Sequence, residues 1–405
     1  MAASVIERTT DPRSARRLSA LLAIAVFINY VDRGNLATAA PVLSTELHLS
    51  ATQLGILLSS FYWTYAVSQL GAGWLSQRFP VQRVIAAGFA IWSVATILTG
   101  VVSGFVALLC LRLVLGVGES VAFPCSSKML AENVGVDRRG RSNASIAIGL
   151  ALGPAFGTYV GGMILARYGW RMLFLSLGVL SLLWLVPWLT GPARELPLRR
   201  FEHSAIDPTF GDIVRCRSAL GASFGHFCAN YIFYFVLSWL PYYLVHERGY
   251  TIGQMAVLSG LTYVMHAVGA FSTGVVVDRF VERGVSPHRA YKTALVTCQI
   301  GSAVFLLGVL VGGTTLSSVC LLAVGFTFGL ASSTLYAVGQ LLAGPRAAGR
   351  WIGFQNFVGN LAGIAGPAIT GLLVDRSGTF SSAFILAIAI SLVGTLAWTT
   401  IIPRI

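Results

Sequence analysis

Charged residues are scarce in this sequence. Only 11% of its 405 residues are Asp, Glu, Lys or Arg, whereas soluble globular proteins carry about 25%. Hydrophobic residues make up 55% of the chain, and the mean hydropathy is +0.75. So few charges cannot cover a chain of this length with a polar surface. The composition excludes an ordinary water-soluble protein and predicts a chain that lies in a lipid bilayer.

Acidic residues are rarer than basic ones, with 15 Asp and Glu against 28 Lys and Arg and a net charge of +13. A basic excess can indicate nucleic-acid binding or contact with an anionic membrane surface. Here the charges fall in short clusters between apolar runs, without a long basic face or basic residues interleaved with aromatic ones. We therefore expect the lipid bilayer as a partner and no nucleic acid.

Motifs for catalysis, metal binding and redox chemistry are missing. The six cysteines form no C-x-x-C pair, and most lie inside apolar runs, as is typical of small buried side chains. The sequence contains no phosphate-binding glycine loop, no metal-ligand spacing and no nucleophile–base motif. We therefore predict that the protein is not an enzyme and that it uses no cofactor.

Twelve hydrophobic segments are long enough to cross ~30 Å of hydrocarbon as helices of about 20 residues. They lie near residues 18–40, 54–75, 84–103, 105–127, 143–165, 172–190, 219–245, 253–277, 291–312, 317–342, 351–374 and 381–403. The first segment follows a basic stretch and lacks a small-residue cleavage site, so it predicts a span and not a signal peptide. A polar, proline-containing stretch at 191–218 separates the sixth segment from the seventh.

The predicted fold is an all-α membrane protein with twelve transmembrane helices in two pseudo-symmetric halves. The halves are residues 1–190 and 219–405, each with six helices, joined by a cytoplasmic linker at 191–218. Related motifs in both halves support the duplication. Gly149-x-x-x-Gly153-Pro154 in the fifth segment is similar to Gly363-x-x-Gly366-Pro367 in the eleventh. Duplicated halves are typical of transporters with a central site.

The placement of Lys and Arg predicts the orientation of the chain. The termini and the loops on their side of the bilayer hold 22 of the 28 basic residues, whereas the opposite loops hold 4. Cytoplasmic loops are enriched in basic residues. We therefore expect both termini in the cytoplasm and the protein in the inner (plasma) membrane.

Four ionisable residues lie inside predicted spans: Asp32, Arg33, Arg112 and Glu119. A charge at the bilayer centre costs at least ~2.5–3.5 kcal/mol, so such residues usually face a polar cavity or pair with each other. Asp32 and Arg33 can both border a cavity, and Arg112 and Glu119, seven residues apart, share one helix face. An ion pair that only holds helices together is the alternative.

Four sequence blocks resemble the major facilitator superfamily, in particular its anion:cation symporter branch, which includes bacterial galactonate and hexuronate symporters. The blocks are Asn29-Tyr-Val-Asp-Arg-Gly-Asn-Leu36, Arg112-Leu-Val-Leu-Gly-Val-Gly-Glu-Ser-Val-Ala-Phe-Pro124, Tyr234-Phe-Val-Leu-Ser-Trp-Leu-Pro-Tyr-Tyr-Leu244 with Arg248-Gly249, and Gly353-Phe-Gln-Asn-Phe-Val-Gly-Asn360. The resemblance runs through nearly the whole chain.

The resemblance implies roles for these residues. The acidic residues Asp32 and Glu119 would take up the coupling proton, Arg112 would pair with Glu119, and Arg33 would meet the substrate carboxylate. The substrate-binding positions that we expect are Tyr30, Arg33, Asn35, His226, Asn230, Tyr234, Gln355 and Asn356. The gating positions that we expect are Arg78, Arg83, Asp278 and Arg279. The coupling ion is expected to be H⁺, with sodium still open, and the protein is expected to be a monomer.

The pocket departs from sugar-acid relatives at two positions. The resemblance implies glutamine at these positions in the sugar-acid relatives, whereas this chain has Leu150 and His226. We therefore expect a substrate other than the standard sugar acid. Two interpretations of His226 stay open, a substrate contact or a hydrogen bond to a neighbouring helix. His266 has no motif behind it and is interpreted as structural.

The leading functional hypothesis is a proton-coupled symporter that takes up a small organic anion by alternating access. Gly149-x-x-x-Gly153-Pro154-x-x-Gly157 also resembles a fifth-helix motif of drug:proton antiporters, so an efflux antiporter of drugs or metabolites is the alternative. A membrane receptor without transport is a third hypothesis, and the lack of a soluble signalling domain speaks against it.

Overall fold

The computed structural model describes residues 12–134, 136–191, 210–332 and 334–401, and within these ranges it contains helices and no β-strand. Residues 1–11 and 192–209, which hold three N-terminal charges and most of the predicted linker, lie outside the described residues. The first half contains α1 (Pro12–Arg33), α2 (Asn35–Glu46), α3 (Ala51–Arg78), α4 (Val81–Thr99), α5 (Phe105–Glu119), α6 (Ala122–Asn133), α7 (Val136–Leu183) and α8 (Leu185–Thr190).

The second half contains α9 (Phe210–Arg215), α10 (Arg217–His246), α11 (Ile252–Glu282), α12 (Pro287–Val311), α13 (Thr314–Ser332), α14 (Thr334–Ser377) and α15 (Ser381–Leu396), followed by a π-helical turn at Ala397–Ile401. Helix α14 includes the end of the tenth predicted span and the whole of the eleventh.

Ten helical stretches of the described residues are long and apolar enough to cross a bilayer. One of them, Ser145–Thr190, has 46 residues and is interrupted at Gly169, where φ is 80° and ψ is 171°. At ~1.5 Å per residue this stretch is long enough for two crossings of ~30 Å. Together with the 28-residue α3, these stretches account for the twelve predicted spans. The predicted all-α membrane fold is confirmed.

The ends of the spans fall on two faces of the bundle because successive spans alternate in direction. Pro12 and Ile401 lie at the face that we call the proximal face. The opposite face, which we call the distal face, carries the turns between α2 and α3 and between α10 and α11.

The two halves repeat the same construction at the distal face. Helix α3 begins with a capping box of Ser50 and Gln53, and α11 begins with a capping box of Thr251 and Gln254. In each box the hydroxyl accepts a hydrogen bond from a backbone N–H of the first turn, and the glutamine side chain accepts one from the N-cap N–H. Such reciprocal bonds satisfy donors that a helix start leaves free.

A carboxylate fixes the neighbouring turn in each half. Glu46, at the end of α2, accepts hydrogen bonds from Trp170 and Arg171, directly after the interruption at Gly169. Glu247, at the end of α10, accepts a hydrogen bond from the backbone N–H of Phe380 at 2.7 Å. These matching contacts agree with the predicted duplication.

Two spans that carry charges continue through short junctions. Gly34, between α1 and α2, has a φ of −87° and a ψ of −10°, and the backbone N–H of Thr38 donates to its carbonyl at 2.9 Å. Between α5 and α6, Ser120 and Val121 also have right-handed helical dihedral angles. Each of the stretches Arg13–Glu46 and Phe105–Leu130 therefore crosses the bilayer as one span, in agreement with the predicted spans 18–40 and 105–127.

Glycines bring α7 close to α1. A Cβ on Gly149 would lie 2.6 Å from the carbonyl oxygen of Ala23, and one on Gly153 would lie 2.6 Å from the Cβ of Tyr30. Helices in lipid approach closely at such small residues. These glycines belong to the motif that resembles one of drug:proton antiporters. Close packing of α7 on α1 explains why they are glycines, so the motif does not require an efflux function.

The halves pack tightly on the distal side. A Cβ on Gly55 of α3 would lie 2.5 Å from the carbonyl oxygen of Pro367 in α14. Asp375 of α14 accepts hydrogen bonds from the backbone N–H groups of Ala51 at 2.9 Å and Thr52 at 2.7 Å. A carboxylate stabilises the positive end of a helix. The start of α3 is therefore held by the other half of the protein.

Replacing Gly55 with alanine should open the distal side. Overpacking costs ~1–3 kcal/mol, which shifts a two-state equilibrium by roughly 5- to 150-fold. We expect the distance between spin labels on the exposed residues Thr45 and Thr379 to shift to longer values in detergent or nanodiscs. Gly71→Ala in the same helix is the control, because no atom lies within 4 Å of its added Cβ. Equal distance distributions for both variants would contradict this prediction.

Candidate functional site

A cavity of about 130 Å³ lies between the two halves. The first half contributes Val26, Asn29, Tyr30, Arg33, Tyr65, Gln69, Ala122, Phe123 and Leu150 to its lining. The second half contributes His226, Asn230, Phe233, Tyr234, His266, Phe328, Ser332, Leu335, Tyr336, Asn356 and Asn360. Among these described residues Arg33 alone is an Asp, Glu, Lys or Arg, so the lining carries one strong positive charge.

The Arg33 guanidinium is buried, with 6% of the residue exposed. Its Nη2 donates hydrogen bonds to Asn29 Oδ1 and to Glu119 Oε2, both at 3.3 Å. Its Nε has no protein partner within hydrogen-bond distance. Since one nitrogen carries both contacts, the guanidinium keeps donors for a carboxylate, which arginine binds in a planar, two-pronged geometry.

Aromatic rings surround the same guanidinium. Its central carbon lies 4.5 Å from the ring centroid of Tyr30, 4.6 Å from that of Tyr65 and 5.3 Å from that of Phe61. Cations are attracted to aromatic faces at such distances. The rings therefore fix the position of the charge.

Glu119 is the charged partner of Arg33. Its carboxylate lies at the end of α5, with 1% of the residue exposed, and forms the 3.3 Å ion pair with Arg33. Gly118, next to it, would place a Cβ 2.8 Å from the backbone nitrogen of Trp92 in α4. This close approach of α5 and α4 brings the carboxylate into the interior. A buried ion pair recovers its desolvation cost only with good geometry and further hydrogen bonds.

The expectation that Arg112 pairs with Glu119 is wrong. Arg112 donates a hydrogen bond from Nε to the backbone carbonyl of Leu57 at 3.4 Å, and its guanidinium lies 5.1 Å from the ring centroid of Phe61. The acidic partner of Arg33 is Glu119, and Arg112 instead joins α5 to α3. Arg112 is buried and is not part of the cavity lining.

Asp32 and Asn35 lie away from the cavity lining, which corrects the expectation that they border it. Asn35 donates a hydrogen bond from Nδ2 to Asp32 Oδ1 at 2.7 Å, and Ser181 of α7 donates one to Asp32 Oδ2 at 3.4 Å. Both residues are buried, with 2% and 1% exposed. Asp32 therefore faces α7 beside the junction of α1 and α2.

The second half presents a connected set of polar groups. The Tyr234 hydroxyl donates to Asn360 Oδ1 at 2.6 Å, and the Tyr336 hydroxyl donates to Asn356 Oδ1 at 3.1 Å. Asn356 Nδ2 donates to Gln69 Oε1 of the first half at 3.2 Å. This last bond crosses between the halves, on the proximal side of the cavity.

Gln355, expected at the substrate, has a structural position. It is completely buried, donates a hydrogen bond to the backbone carbonyl of Leu335 at 3.1 Å, and accepts one from Trp351 at 3.2 Å. It does not line the cavity, whereas its neighbour Asn356 does.

Three further side chains of the second half line the cavity. Two of them, His226 and Asn230, were expected at the substrate, and the third, His266, was interpreted as structural. His226 and Asn230 lie one turn apart on α10, and His266 lies on α11. His266 also forms a 2.7 Å hydrogen bond with Ser332, so the structural interpretation holds for that contact. Its place in the lining was not predicted.

The expected gating residues are exposed and lie outside the cavity. Arg78 and Arg83 flank the turn between α3 and α4, and Asp278 and Arg279 lie near the end of α11, all on the proximal side. Their role as a gate stays a prediction.

Several neutral lining residues were missed by sequence reasoning, among them Tyr65, Gln69, Ser332 and Asn360. A signal for them was present. Polar lining residues recur four positions apart inside apolar helices, a spacing that puts side chains on one helix face. The pairs are Asn29 with Arg33, Tyr65 with Gln69, His226 with Asn230, Asn230 with Tyr234, Ser332 with Tyr336, and Asn356 with Asn360.

Known transporters are similar to this chain over nearly its full length. A hexuronate transporter of Bacillus subtilis is 33% identical over 391 residues, which cover 93% of this chain and 92% of that protein. A probable sulfoacetate transporter of Cupriavidus necator is 30% identical, with coverage of 93% and 91%. A probable L-galactonate transporter of Escherichia coli is 28% identical, with coverage of 97% and 91%.

Solved structures share the fold. A bacterial homologue of the human lysosomal transporter Spinster, in an inward-facing and unoccupied conformation, has a TM-score of 0.80 at 16% identity, covering 96% of this chain and 97% of that one. The profile of the Major Facilitator Superfamily matches residues 22–367. This chain therefore belongs to the Major Facilitator Superfamily, as a multi-pass membrane transporter whose relatives include anion transporters.

Proposed function

We propose that this protein is a proton-coupled symporter that takes up a small organic anion by alternating access. The proposal includes an inner-membrane location with both termini in the cytoplasm, which the 22 to 4 distribution of basic residues supports. The relatives named for hexuronate, sulfoacetate and L-galactonate support an organic anion as the substrate, since each of these compounds carries a carboxylate.

The observation that carries the proposal is the position of Arg33. It is the strong charge of the described lining, its Nε is unpartnered, and aromatic rings hold it in place. A substrate carboxylate at this guanidinium gains charge-assisted hydrogen bonds in a site of low polarity, where such bonds are strong.

Coupling follows from competition for Arg33. An ionised Glu119 occupies Nη2 of Arg33, and a substrate carboxylate needs the same guanidinium. Protonation of Glu119 removes its charge and favours binding of the anion. Binding of the anion in turn favours the proton on Glu119, because linkage between two ligands is reciprocal. Proton and substrate then load together and leave together.

Asp32 is proposed as a second proton-binding group with a different task. It contacts Asn35, about one turn further along the same span, and Ser181 of α7, but not the cavity. Its charge would bias the arrangement of α1, α2 and α7 and not the substrate directly.

Alternating access is supported by the unequal closures of the cavity. On the distal side, helix backbones of the two halves pack at Gly55 and Pro367, and Asp375 caps α3. On the proximal side, one described contact between the halves is the side-chain bond from Asn356 to Gln69. A side-chain hydrogen bond breaks with less rearrangement than backbone packing does, so we propose that this conformation precedes release to the cytoplasm.

Glu119→Gln should abolish proton-driven accumulation and spare exchange. The amide resembles the protonated carboxyl, so Arg33 stays available to the substrate. The amide cannot bind or release a proton, so substrate binding is no longer linked to a proton. Proteoliposomes with acid outside should accumulate labelled glucuronate or sulfoacetate in the wild type, up to about tenfold per pH unit for one proton per monoanion. The variant should show counterflow without accumulation.

Glu46→Gln is the control for this experiment. Glu46 also forms a 3.3 Å ion pair, with Arg171, but that pair is exposed on the distal face, where it contributes little. The amide oxygen of the glutamine can still accept the hydrogen bond from Trp170 that fixes the turn. This variant should accumulate substrate as the wild type does. Wild-type accumulation that ignores the pH gradient would refute proton coupling.

Arg33→Lys should weaken anion binding by roughly 10- to 100-fold at unchanged charge. A lysine ammonium lacks the planar pair of donors and stacks less well on Tyr30 and Tyr65, and hydrogen bonds to charged groups contribute ~1.5–3 kcal/mol. Calorimetric titration of the purified protein measures the effect. Arg171→Lys is the matched exposed control, and an equal loss in both variants would rule out Arg33 as the carboxylate site.

A further inference from the structure

A surface groove of about 430 Å³ lies between α11 and α12 near the proximal face. Its walls include Val276, Val277 and Phe280 of α11, Ala290, Ala294 and Thr297 of α12, and Phe326 and Leu330 of α13. Val276 and Phe280 are 46% and 47% exposed. The groove therefore opens to the outside of the bundle, where lipid surrounds a membrane protein.

Packing on α13 produces this groove. A Cβ on Gly325 of α13 would lie 2.2 Å from the carbonyl oxygen of Thr262 in α11, and one on Gly301 of α12 would lie 2.7 Å from Cγ2 of Thr327 in α13. Such small residues let helices approach closely in lipid. Both α11 and α12 thus pack along α13 and much less on each other, which leaves a gap between them.

A second, more polar surface cavity continues the groove at the turn between α11 and α12. It is lined by Arg283, Gly284, Val285, Ser286, His288, Arg289, Lys292 and Thr293. Val285, Arg289 and Thr293 belong to both linings, so the two cavities are continuous. Together they form one site with a polar part beside the turn and an apolar part along the helices.

The polar part carries three cations, Arg283, Arg289 and Lys292, and this described lining contains no Asp or Glu. Both arginines are exposed. The Lys292 ammonium donates to the backbone carbonyl of Thr399 at 3.1 Å, which holds it beside the cluster. Glu282 neighbours Arg283 along the chain but is not part of the lining. Three positive charges in one cavity favour an anion, and guanidinium groups bind phosphate oxygens well.

Polarity falls in steps along one face of α12. Arg289, Thr293 and Thr297 are spaced four residues, or ~6 Å, apart and share that face. Arg289 and Thr293 border both cavities, whereas Thr297 borders the groove alone. A glycerophospholipid has the same order of groups, a phosphate, then ester carbonyls, then acyl chains. A threonine hydroxyl can donate a hydrogen bond to an ester carbonyl.

We propose that this site binds an anionic glycerophospholipid of the leaflet at the proximal face. Its phosphate binds Arg283, Arg289 and Lys292, its ester region lies at Thr293, and one acyl chain lies in the groove between α11 and α12. Basic pockets between transmembrane helices recognise anionic head groups in this way. A choline head group would bring a further cation into a lining with three cations, so phosphatidylglycerol fits better than phosphatidylcholine.

Native mass spectrometry of the purified full-length protein in detergent tests the site. The protein is titrated with phosphatidylglycerol or with phosphatidylcholine of the same acyl chains. We expect phosphatidylglycerol to bind at least about tenfold more tightly. Inorganic phosphate is the probe for an anion site without an acyl chain, and at the concentration of the lipid it should not displace phosphatidylglycerol.

Two variants with matched controls separate the head-group contact from the acyl-chain contact. Arg289→Gln should reduce the preference for phosphatidylglycerol to about threefold or less. Its control is Arg83→Gln, because Arg83 is the third residue of α4, as Arg289 is of α12, and lines neither cavity. Ala294→Trp fills the groove and should weaken binding of phosphatidylglycerol. Its control is Ile300→Trp, on α12 with 44% exposure and outside the lining.

Three results would overturn the lipid site. The first is equal binding of phosphatidylglycerol and phosphatidylcholine. The second is an equal loss of preference in Arg83→Gln and Arg289→Gln, which would show that the overall charge of the proximal face explains the binding. The third is unchanged phosphatidylglycerol binding in Ala294→Trp or displacement of the lipid by inorganic phosphate, which would show a site for an anion alone. The proposed anion transport stands apart from each result, since the central cavity shares no lining residue with this site.

Discussion

The ion pair between Arg33 and Glu119 is the contact on which the rest of the structure depends. Two charged groups with 6% and 1% exposure lie 3.3 Å apart in a bundle that crosses a bilayer. Removing one partner of such a pair leaves an uncompensated buried charge, which costs several kcal/mol. The surrounding features reduce this cost. Aromatic faces surround the guanidinium, Asn29 accepts one of its hydrogen bonds, and the cavity supplies room for a second anion.

Helix geometry places the pair in the interior. Arg33 lies next to the junction of α1 and α2, and Glu119 lies next to the junction of α5 and α6, so both charges lie in the middle part of long spans. Glycines let α5 approach α4, and α7 approach α1, to backbone contact. The same construction at the distal turns of both halves shows that the second half repeats the plan of the first. It does not repeat the charges, because its part of the described lining is neutral or histidine.

The sequence predicted the fold because long apolar segments and asymmetric basic loops are one-dimensional signals. It predicted Arg33 and Glu119 because charges in apolar spans are conspicuous. The sequence did not predict as well which side chains point into the cavity and which point to a neighbouring helix. Arg112 and Glu119 share one helix face, but the Arg112 side chain turns toward Leu57 and Phe61 of α3, which the sequence does not reveal. Adjacent residues diverge by ~100°, so Asp32 and Gln355 turn away from the cavity while Arg33 and Asn356 enter it.

The division of the site between the halves links binding to movement. The cavity is lined by the Arg33 cation on the first half and by neutral polar side chains and histidines on the second, so a ligand can contact both walls only when the halves lie close to one another. A ligand can shift a conformational equilibrium only as far as its affinities for the two states differ. A substrate that contacts both halves has such a difference, because opening either side separates its two binding groups. The closed state is then stabilised by the substrate itself, and Glu119 competes for the same cation whenever the substrate is absent.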